Sequence, residues 1–331
     1  MIHMRLACLD KFDQITSIIC HRGNPFMSLI KRHQAVAGLL VAAFTAFVPL
    51  AAVPAAAITA EDLSHRWVIT ADQARQLIAE GAIVFDNRDE ALKAKNPLPN
   101  AVALTWPQLT YPDIPAKGKL LDDDQALTKI LDSVGVAKDK VVINIADPIN
   151  GWGEDGRLTW ALRTLGDNKA VFVDGGYEAL VKDGVPAIAT PKIPGDFVVA
   201  RTAAWEVKRD DVKASIGRPG VVIVDTREDR EYEGKTPYGE SRGGHVPGAK
   251  HIWFKDLIGQ DGALLSTDKL AEKLKSVGID KNTEVIAYCT GGIRAGFFTA
   301  TLTDAGYKVK NYAGSMWDWA SGDPKAYPLE P

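Results

Sequence analysis

The segment that follows an apolar, β-branched run at residues 284–288 has the composition of a nucleophilic loop. It begins at Cys289 and continues, in order, with Thr290, Gly291, Gly292, Ile293 and Arg294. Two glycines allow the backbone to curl tightly and turn successive N–H groups inward. A helix predicted to begin within about six residues adds free N–H groups and the positive end of its dipole. Because these donors favour the charged form of a thiol, we expect Cys289 to be largely thiolate at neutral pH and to bind an anionic substrate or leaving group.

The number of residues between the cysteine and the arginine distinguishes phosphatase chemistry from chemistry on a smaller, sulfur-centred intermediate. Protein tyrosine phosphatases have one residue more between them, which makes a loop wide enough to wrap a tetrahedral phosphate. Here four residues separate Cys289 from Arg294, and the phosphatase arginine position is Ala295. The shorter loop fits a smaller, sulfur-centred intermediate better, and a phosphatase-like or arsenate-handling enzyme stays as an alternative.

Composition and charge limit the classes of function. The chain has 331 residues, of which 46% are hydrophobic and 24% charged, as in a soluble globular protein long enough for two domains. A net charge of -3 gives no general attraction to nucleic acid, so no nucleic-acid partner is expected and any anion site must be local. Beyond residue 57 the histidines are His65, His245 and His251, and their spacing predicts no metal site.

The N-terminus has the three parts of a secretory signal peptide. Basic, apolar and small residues follow one another at 31–33, 35–53 and 55–57. Met27 stands where such a peptide would begin, so residues 1–26 are interpreted as an upstream extension. We therefore predict that residues 1–57 are absent from the mature protein, that the signal peptide spans about 27–57, and that the protein is periplasmic or otherwise exported.

An uncleaved membrane anchor is the alternative, since the apolar run is nearly long enough to span a bilayer. Pro49 and Pro54 count against a membrane helix, and no membrane association is expected after cleavage. Cleavage also removes Cys8 and Cys20 and leaves Cys289 as the one cysteine. Because exported proteins normally use cysteines in pairs, a lone thiol in that compartment indicates a task of its own.

Two parts of the chain show the same order of features. Short apolar runs that end in Asp-x-Arg occur at residues 82–88 and 221–227. A second pair of apolar runs follows at 141–147 and 284–289, and each is succeeded by a helix-like stretch, another strand and a glycine. Strands that alternate with helical stretches at this spacing predict βαβ units and an open parallel sheet in each half.

Prolines and a glycine between residues 186 and 195 mark a linker between the halves. The predicted organisation is an α/β protein with two domains, at residues 58–187 and 196–331, joined by the linker at 188–195. The second domain contains the Cys289 loop, so the chemistry is expected there.

Four motifs of the second half together resemble the rhodanese family. They are the six-residue loop Cys289–Arg294, Asp225-Thr226-Arg227, Gly244-His245-Val246-Pro247-Gly248-Ala249 and Gly314-Ser315-Met316-Trp317-Asp318-Trp319. The resemblance implies two tandem rhodanese-like domains, each an open, mainly parallel sheet flanked by helices. It also implies an inactive first domain, because Asp147 stands at the cysteine position and an acidic side chain cannot carry sulfur.

The resemblance further implies a sulfurtransferase that needs neither a metal nor an organic cofactor. Cys289 would carry the sulfur as a persulfide between a small-molecule donor and an acceptor such as cyanide or a thiol. The substrate-binding and anion-binding residues expected around it are Thr290, Gly291, Gly292, Ile293, Arg294, Arg242 and Arg227.

The family resemblance suggests two main sulfur donors, thiosulfate and 3-mercaptopyruvate. Mercaptopyruvate enzymes typically carry the loop Cys-Gly-Ser-Gly-Val-Thr, and an arginine just before the aromatic residue that follows Asp-x-Arg. Here Thr290 is second in the loop, Arg294 ends it, and Glu231 precedes Tyr232. The sequence therefore favours thiosulfate, with 3-mercaptopyruvate as one alternative. The other alternative is a persulfide carrier or binding module that serves a protein acceptor.

Overall fold

A computed structural model describes residues 58–331. The predicted upstream extension and signal peptide at residues 1–57 lie outside the described residues, so export stays a prediction. Among the helices that are described, none is both long and apolar enough to cross a bilayer.

The first half of the described chain folds around a sheet of four parallel strands. In chain order the strands are β1 (Val68–Ile69), β2 (Ile83–Asp86), β3 (Val142–Ile145) and β4 (Val171–Val173). Their order across the sheet is β1-β4-β3-β2, and every strand residue is buried. Burial on both faces explains the continuous apolar runs, since helices cover a parallel sheet on both sides. The helices are α1 (Ala60–His65), α2 (Ala71–Ala79), α3 (Glu90–Lys95), α4 (Asp124–Ser133), α5 (Glu154–Thr164) and α6 (Gly176–Val181), with a 3-10 helix at Trp106–Leu109.

The second half folds around another parallel sheet of four strands. They are β5 (Val221–Asp225), β6 (Lys250–His251), β7 (Glu284–Tyr288) and β8 (Lys308–Asn311), in the order β6-β5-β7-β8. The helices are α7 (Arg209–Ser215), α8 (Asp229–Tyr232), α9 (Thr267–Ser276), α10 (Ile293–Asp304) and α11 (Ser315–Trp319), with a 3-10 helix at Phe254–Leu257.

The predicted fold class is confirmed: the chain has two parallel sheets, each flanked by helices. The strands that end at the aspartate of each Asp-x-Arg motif are β2 and β5. They pair with β3 and β7 respectively, and β7 is the strand that precedes the Cys289 loop. The segment predicted as a linker, residues 188–195, contains neither helix nor strand. The exact domain boundaries stay a prediction.

Helices α5 and α10, one from each half, pack against each other at close range. Nearly every residue of both helices is buried. A Cβ atom added at Gly153 or Gly156 would lie 2.6 Å from Phe297 of α10, so only glycine permits this approach. Phe297 continues the contact to Phe172 of β4, with ring centroids 5.4 Å apart. Because α5 and α10 begin just after the loops that follow β3 and β7, their packing brings these two loops together.

Asp155, in the first turn of α5, is a buried carboxyl group. The N–H of Gly156 donates a hydrogen bond to its Oδ1 at 2.7 Å. Burial raises the pKa of Asp155 from 3.8 to about 7, and this hydrogen bond opposes the rise. Between these two pKa values the folded protein keeps a proton that the unfolded chain releases. The free energy of unfolding therefore falls as the pH rises through this interval.

The substitution Asp155→Asn removes the ionisation and keeps an acceptor oxygen for Gly156. We expect the gain in free energy of unfolding to be about 2 kcal/mol larger at pH 8 than at pH 5. Urea denaturation at the two pH values measures this difference. Asp139 is exposed, so the Asp139→Asn variant is the control, and its change in free energy of unfolding should be the same at pH 5 and pH 8. An equal gain for Asp155→Asn at pH 5 and pH 8 would show that burial does not shift its ionisation.

Candidate active site

A cavity of about 210 Å³ lies where β7 ends and α10 begins. Cys289 lines it, although the exposed fraction of this residue is 0%, which places the thiol at the inner end of the cavity. The residues that line the cavity are Trp106, Trp152, Glu154, Tyr238, Cys289, Thr290, Gly291, Ile293, Arg294 and Trp317. Four of the predicted anion-binding residues are therefore grouped around the predicted nucleophile.

The start of helix α11 fixes the carbonyl groups of the cysteine loop. The carbonyl oxygen of Cys289 accepts the Met316 N–H at 3.1 Å, and that of Thr290 accepts the Trp317 N–H at 2.9 Å. The Cys289 N–H donates to Ser315 Oγ at 3.0 Å. The carbonyl groups of Cys289 and Thr290 are thus hydrogen-bonded to the N–H groups of α11.

The N–H groups that follow Cys289 include one donor to the sulfur and three that have no acceptor. Gly292 donates its N–H to Cys289 Sγ at 3.1 Å and has a φ of 79°, in the left-handed region that favours glycine. The N–H groups of Thr290, Gly291 and Ile293 have no acceptor among residues 58–331. Unpaired N–H groups at a helix N-terminus bind anions. The loop can therefore hold a thiolate, a persulfide or an anionic leaving group.

Glu231 neutralises the arginine that ends the loop. Arg294 donates from Nη1 to Glu231 Oε2 at 2.5 Å and from Nη2 to Glu231 Oε1 at 2.9 Å. The Thr290 hydroxyl donates to the same carboxylate at 2.6 Å. Burial opposes ionisation, but the ion pair still holds the pKa of Glu231 below its usual value and the pKa of Arg294 above. Arg294 Nε has no hydrogen-bond partner among the described residues, and Arg294 lines the cavity.

The first half supplies part of the cavity wall. Trp106, Trp152 and Glu154 all belong to it, and Trp152 is edge-on to Tyr238 with ring centroids 5.9 Å apart. Glu154 accepts the Trp152 N–H at 2.8 Å, and burial raises the pKa of its carboxyl group. The sequence identified Glu154 only as part of an acidic loop at the place of the first-half cysteine loop. It gave no signal for the two tryptophans.

The predicted substrate-binding residues Arg227 and Arg242 do not line the cavity. Arg227 is fully buried and donates to both oxygens of Asp225, at 2.9 Å and 2.6 Å, and to the Gly244 carbonyl at 2.8 Å. Arg242 donates to main-chain carbonyls near the C-terminus, including that of Ala320 at 2.8 Å. Both guanidinium groups hold the fold of the second half.

Within residues 58–331, no group of three or more His, Cys, Asp or Glu side chains is placed to hold a metal ion.

Comparison with known proteins gives a family match in the second half of the chain. Residues 208–322 match the rhodanese-like domain family. The thiosulfate sulfurtransferase of Azotobacter vinelandii is 26% identical over 254 residues, which cover 76% of this chain and 92% of that protein. The sulfur carrier protein TtuD of Thermus thermophilus is 27% identical over 241 residues, or 68% of this chain and 82% of that protein. A probable 3-mercaptopyruvate sulfurtransferase of Pseudomonas aeruginosa is 28% identical over 210 residues, or 62% and 73%.

Solved structures support the same fold across both halves. The crystal structure of YnjE aligns with a TM-score of 0.65 at 19% identity, covering 80% of this chain and 68% of that chain. The wild-type structure of EanB aligns with a TM-score of 0.65 at 18% identity, covering 80% and 69%. With the cysteine loop and the two parallel sheets, these comparisons show that residues 208–322 form a rhodanese-like domain and that the chain is similar to sulfurtransferases over most of its length.

Proposed function

We propose that this protein is a thiosulfate sulfurtransferase that carries sulfur as a persulfide on Cys289. The observation that carries the proposal is the environment of the thiol. It lies at the inner end of a cavity, receives the N–H of Gly292 at 3.1 Å, and is followed by N–H groups without acceptors in the described chain. These features favour a charged sulfur nucleophile and an anionic partner.

The proposed reaction is a double displacement. The Cys289 thiolate attacks the outer sulfur of thiosulfate, the S–S bond of thiosulfate breaks, and sulfite leaves with the electron pair. The new bond leaves a persulfide anion on the enzyme. An acceptor such as cyanide or a thiolate then attacks the outer persulfide sulfur, and the Cys289 thiolate leaves as the second S–S bond breaks. No electrons enter or leave the cycle, so no cofactor is required.

The groups that would stabilise the negative charges are mainly peptide groups. Arg294 is paired with Glu231, so its charge is largely neutralised. The N–H groups of Thr290, Gly291 and Ile293 and the positive end of α10 are the remaining donors. Arg294 also lines the cavity, and we propose its Nε, which has no partner in residues 58–331, as a further, charge-assisted donor.

The choice of donor rests on the loop sequence and on relatives. Relatives named thiosulfate sulfurtransferase match over most of their length. Thr290 and Arg294 also depart from the loop typical of mercaptopyruvate enzymes, and Glu231 stands where those enzymes have an arginine. Thiosulfate is therefore the proposed donor, and 3-mercaptopyruvate is the alternative.

A persulfide carrier for a protein acceptor is a second candidate function. One relative is named a sulfur carrier protein. The full burial of Cys289 bears on this candidate, because a protein acceptor would have to insert an extended segment into the cavity. Small thiols and cyanide reach the sulfur without that requirement, which favours the small-molecule acceptor.

The substitution Cys289→Ser should abolish thiocyanate formation from thiosulfate and cyanide, because serine cannot form a persulfide. Intact-mass spectrometry of the wild type after thiosulfate treatment should show a gain of one sulfur atom, which cyanide removes. Circular dichroism of the variant controls for folding. Turnover by a folded Cys289→Ser protein would remove Cys289 from the mechanism. A stable persulfide without turnover would favour the carrier function.

The value of kcat/KM should be at least about ten-fold higher with thiosulfate than with 3-mercaptopyruvate, since the site lacks the arginine expected for the keto acid. Both donors are assayed with the same acceptor at the same pH. A preference for 3-mercaptopyruvate would replace thiosulfate as the donor and leave the Cys289 persulfide in place.

A pair of variants separates the structural and substrate-binding roles of Arg294. Arg294→Met leaves Glu231 buried without its cation, and we expect a loss of about 3 kcal/mol in free energy of unfolding. Adding Glu231→Met should restore most of this stability. The KM for thiosulfate should stay about ten-fold raised in the double variant, because the Nε donor is still missing. A wild-type KM in the double variant would make Arg294 purely structural.

A further inference from the structure

A buried arginine of the first half lies directly behind the cysteine loop. Arg157 in α5 is 0% exposed. Its Nη1 donates to the carbonyl oxygen of Gly292 at 3.0 Å, and its Nη2 donates to that of Gly118. The guanidinium also lies over the ring of Trp160, 4.5 Å from the ring centroid. A cation from the domain without a cysteine thus contacts the loop of the domain that has one.

Arg157 differs from the other buried arginines near the site because it has no carboxylate partner. Arg227 and Arg294 form ion pairs with Asp225 and Glu231. No Asp or Glu within residues 58–331 forms an ion pair with Arg157, and its Nε has no hydrogen-bond partner in this part of the chain. A buried, unpaired charge is costly unless an opposite charge lies nearby.

Among the negatively charged groups that raise the pKa of Arg157, the Cys289 sulfur has the largest effect. Burial lowers the pKa of Arg157 to about 10, while the negative charges of Cys289 and Glu206 act against this decrease. The arginine therefore stays cationic at neutral pH. An ionised sulfur at position 289 provides an anion that partly offsets the cost of its burial.

Gly292 is hydrogen-bonded both to Arg157 and to the Cys289 sulfur. The carbonyl oxygen of Gly292 accepts from Arg157, from Asn311 Nδ2 at 3.1 Å and from the Gly296 N–H at 3.0 Å. The N–H of Gly292 donates to Cys289 Sγ at 3.1 Å. The arginine and its neighbours therefore fix the residue that donates to the sulfur.

Two glycines make this approach possible. A Cβ atom at Gly292 would lie 2.8 Å from Arg157 Nη1, and one at Gly296 would lie 3.0 Å from Arg157 Cδ. The absence of side chains at these positions lets the guanidinium reach the loop. The start of α10 thus leaves the space that the Arg157 side chain of α5 occupies.

We propose that Arg157 is a positioning residue for the reaction. It supplies a counter-charge to the Cys289 thiolate and holds the Gly292 N–H against the sulfur. Its effect on the persulfide rests on the proposed function, whereas its effect on the thiolate does not. The first domain, which has Asp147 in place of a cysteine, would in this way take part in the chemistry of the second.

The test is the pH dependence of Cys289 alkylation by iodoacetamide, followed by mass spectrometry. Arg157→Met removes both the charge and the hydrogen bonds. We expect the midpoint of its alkylation profile to lie about one pH unit above that of the wild type, with the rate at the alkaline plateau unchanged. Arg157→Lys keeps the charge, so its alkylation midpoint should lie close to that of the wild type.

Arg163→Met is the matched control. Arg163 lies in the same helix and is also buried, but its guanidinium donates to the carbonyl groups of Ala170 and Leu63, outside the cysteine loop. Its loss should lower stability without moving the alkylation midpoint. If the Arg157→Met and Arg163→Met profiles both coincide with that of the wild type, Arg157 is structural only and the proposal is overturned.

Comparing one further variant, Arg157→Gln, with Arg157→Lys keeps the test decisive if Arg157→Met does not fold. Arg157→Gln keeps a hydrogen-bond donor without the charge and should show the raised midpoint, whereas Arg157→Lys should not. Equal midpoints for these two variants would overturn the counter-charge. Alkylation needs no sulfur donor, so this result is separate from the outcome with thiosulfate. Failure to form a persulfide would contradict the proposed function and leave the alkylation shift standing.

Discussion

The close contact between α5 and α10 is the constraint on which the site depends. Gly153 and Gly156 let Phe297 approach to a distance that any side chain would block. The loops after β3 and β7 meet as a result, and the cavity takes its inner end from one half and part of its wall from the other. Such a cavity exists only while both sheets stay packed together, so the stability of the contact and the integrity of the site are the same requirement.

Charge is distributed around the thiol in two distinct ways. Arg294 is neutralised by Glu231, so it orders the loop more than it attracts an anion. In the proposed mechanism the attraction comes instead from peptide N–H groups of the loop, while the carbonyl groups of Cys289 and Thr290 are hydrogen-bonded to α11. Peptide donors are fixed by the fold and need no reorganisation when charge develops on the sulfur, which is the condition for effective electrostatic stabilisation.

The sequence was informative where the signal was local. The apolar runs and their spacing predicted both parallel sheets, and the contiguous loop from Cys289 to Arg294 predicted the residues around the thiol. Trp106 and Trp152 escaped prediction because they reach the site only through contact between the halves. Residue type alone suggested Arg242 as a ligand for the donor, and no sequence pattern reveals that its side chain donates to main-chain carbonyl groups instead of lining the cavity.

Cys289 is the only free cysteine in the part of the chain that the structure describes, and it is buried. No second thiol there can attack a sulfur atom bound to it and release that atom by forming an internal disulfide. In the proposed cycle, a persulfide on Cys289 would therefore persist until an external nucleophile small enough to enter the cavity arrived. The burial of the sulfur would then protect it against unwanted discharge, and the lifetime of the persulfide form would be set by the small nucleophiles around the protein.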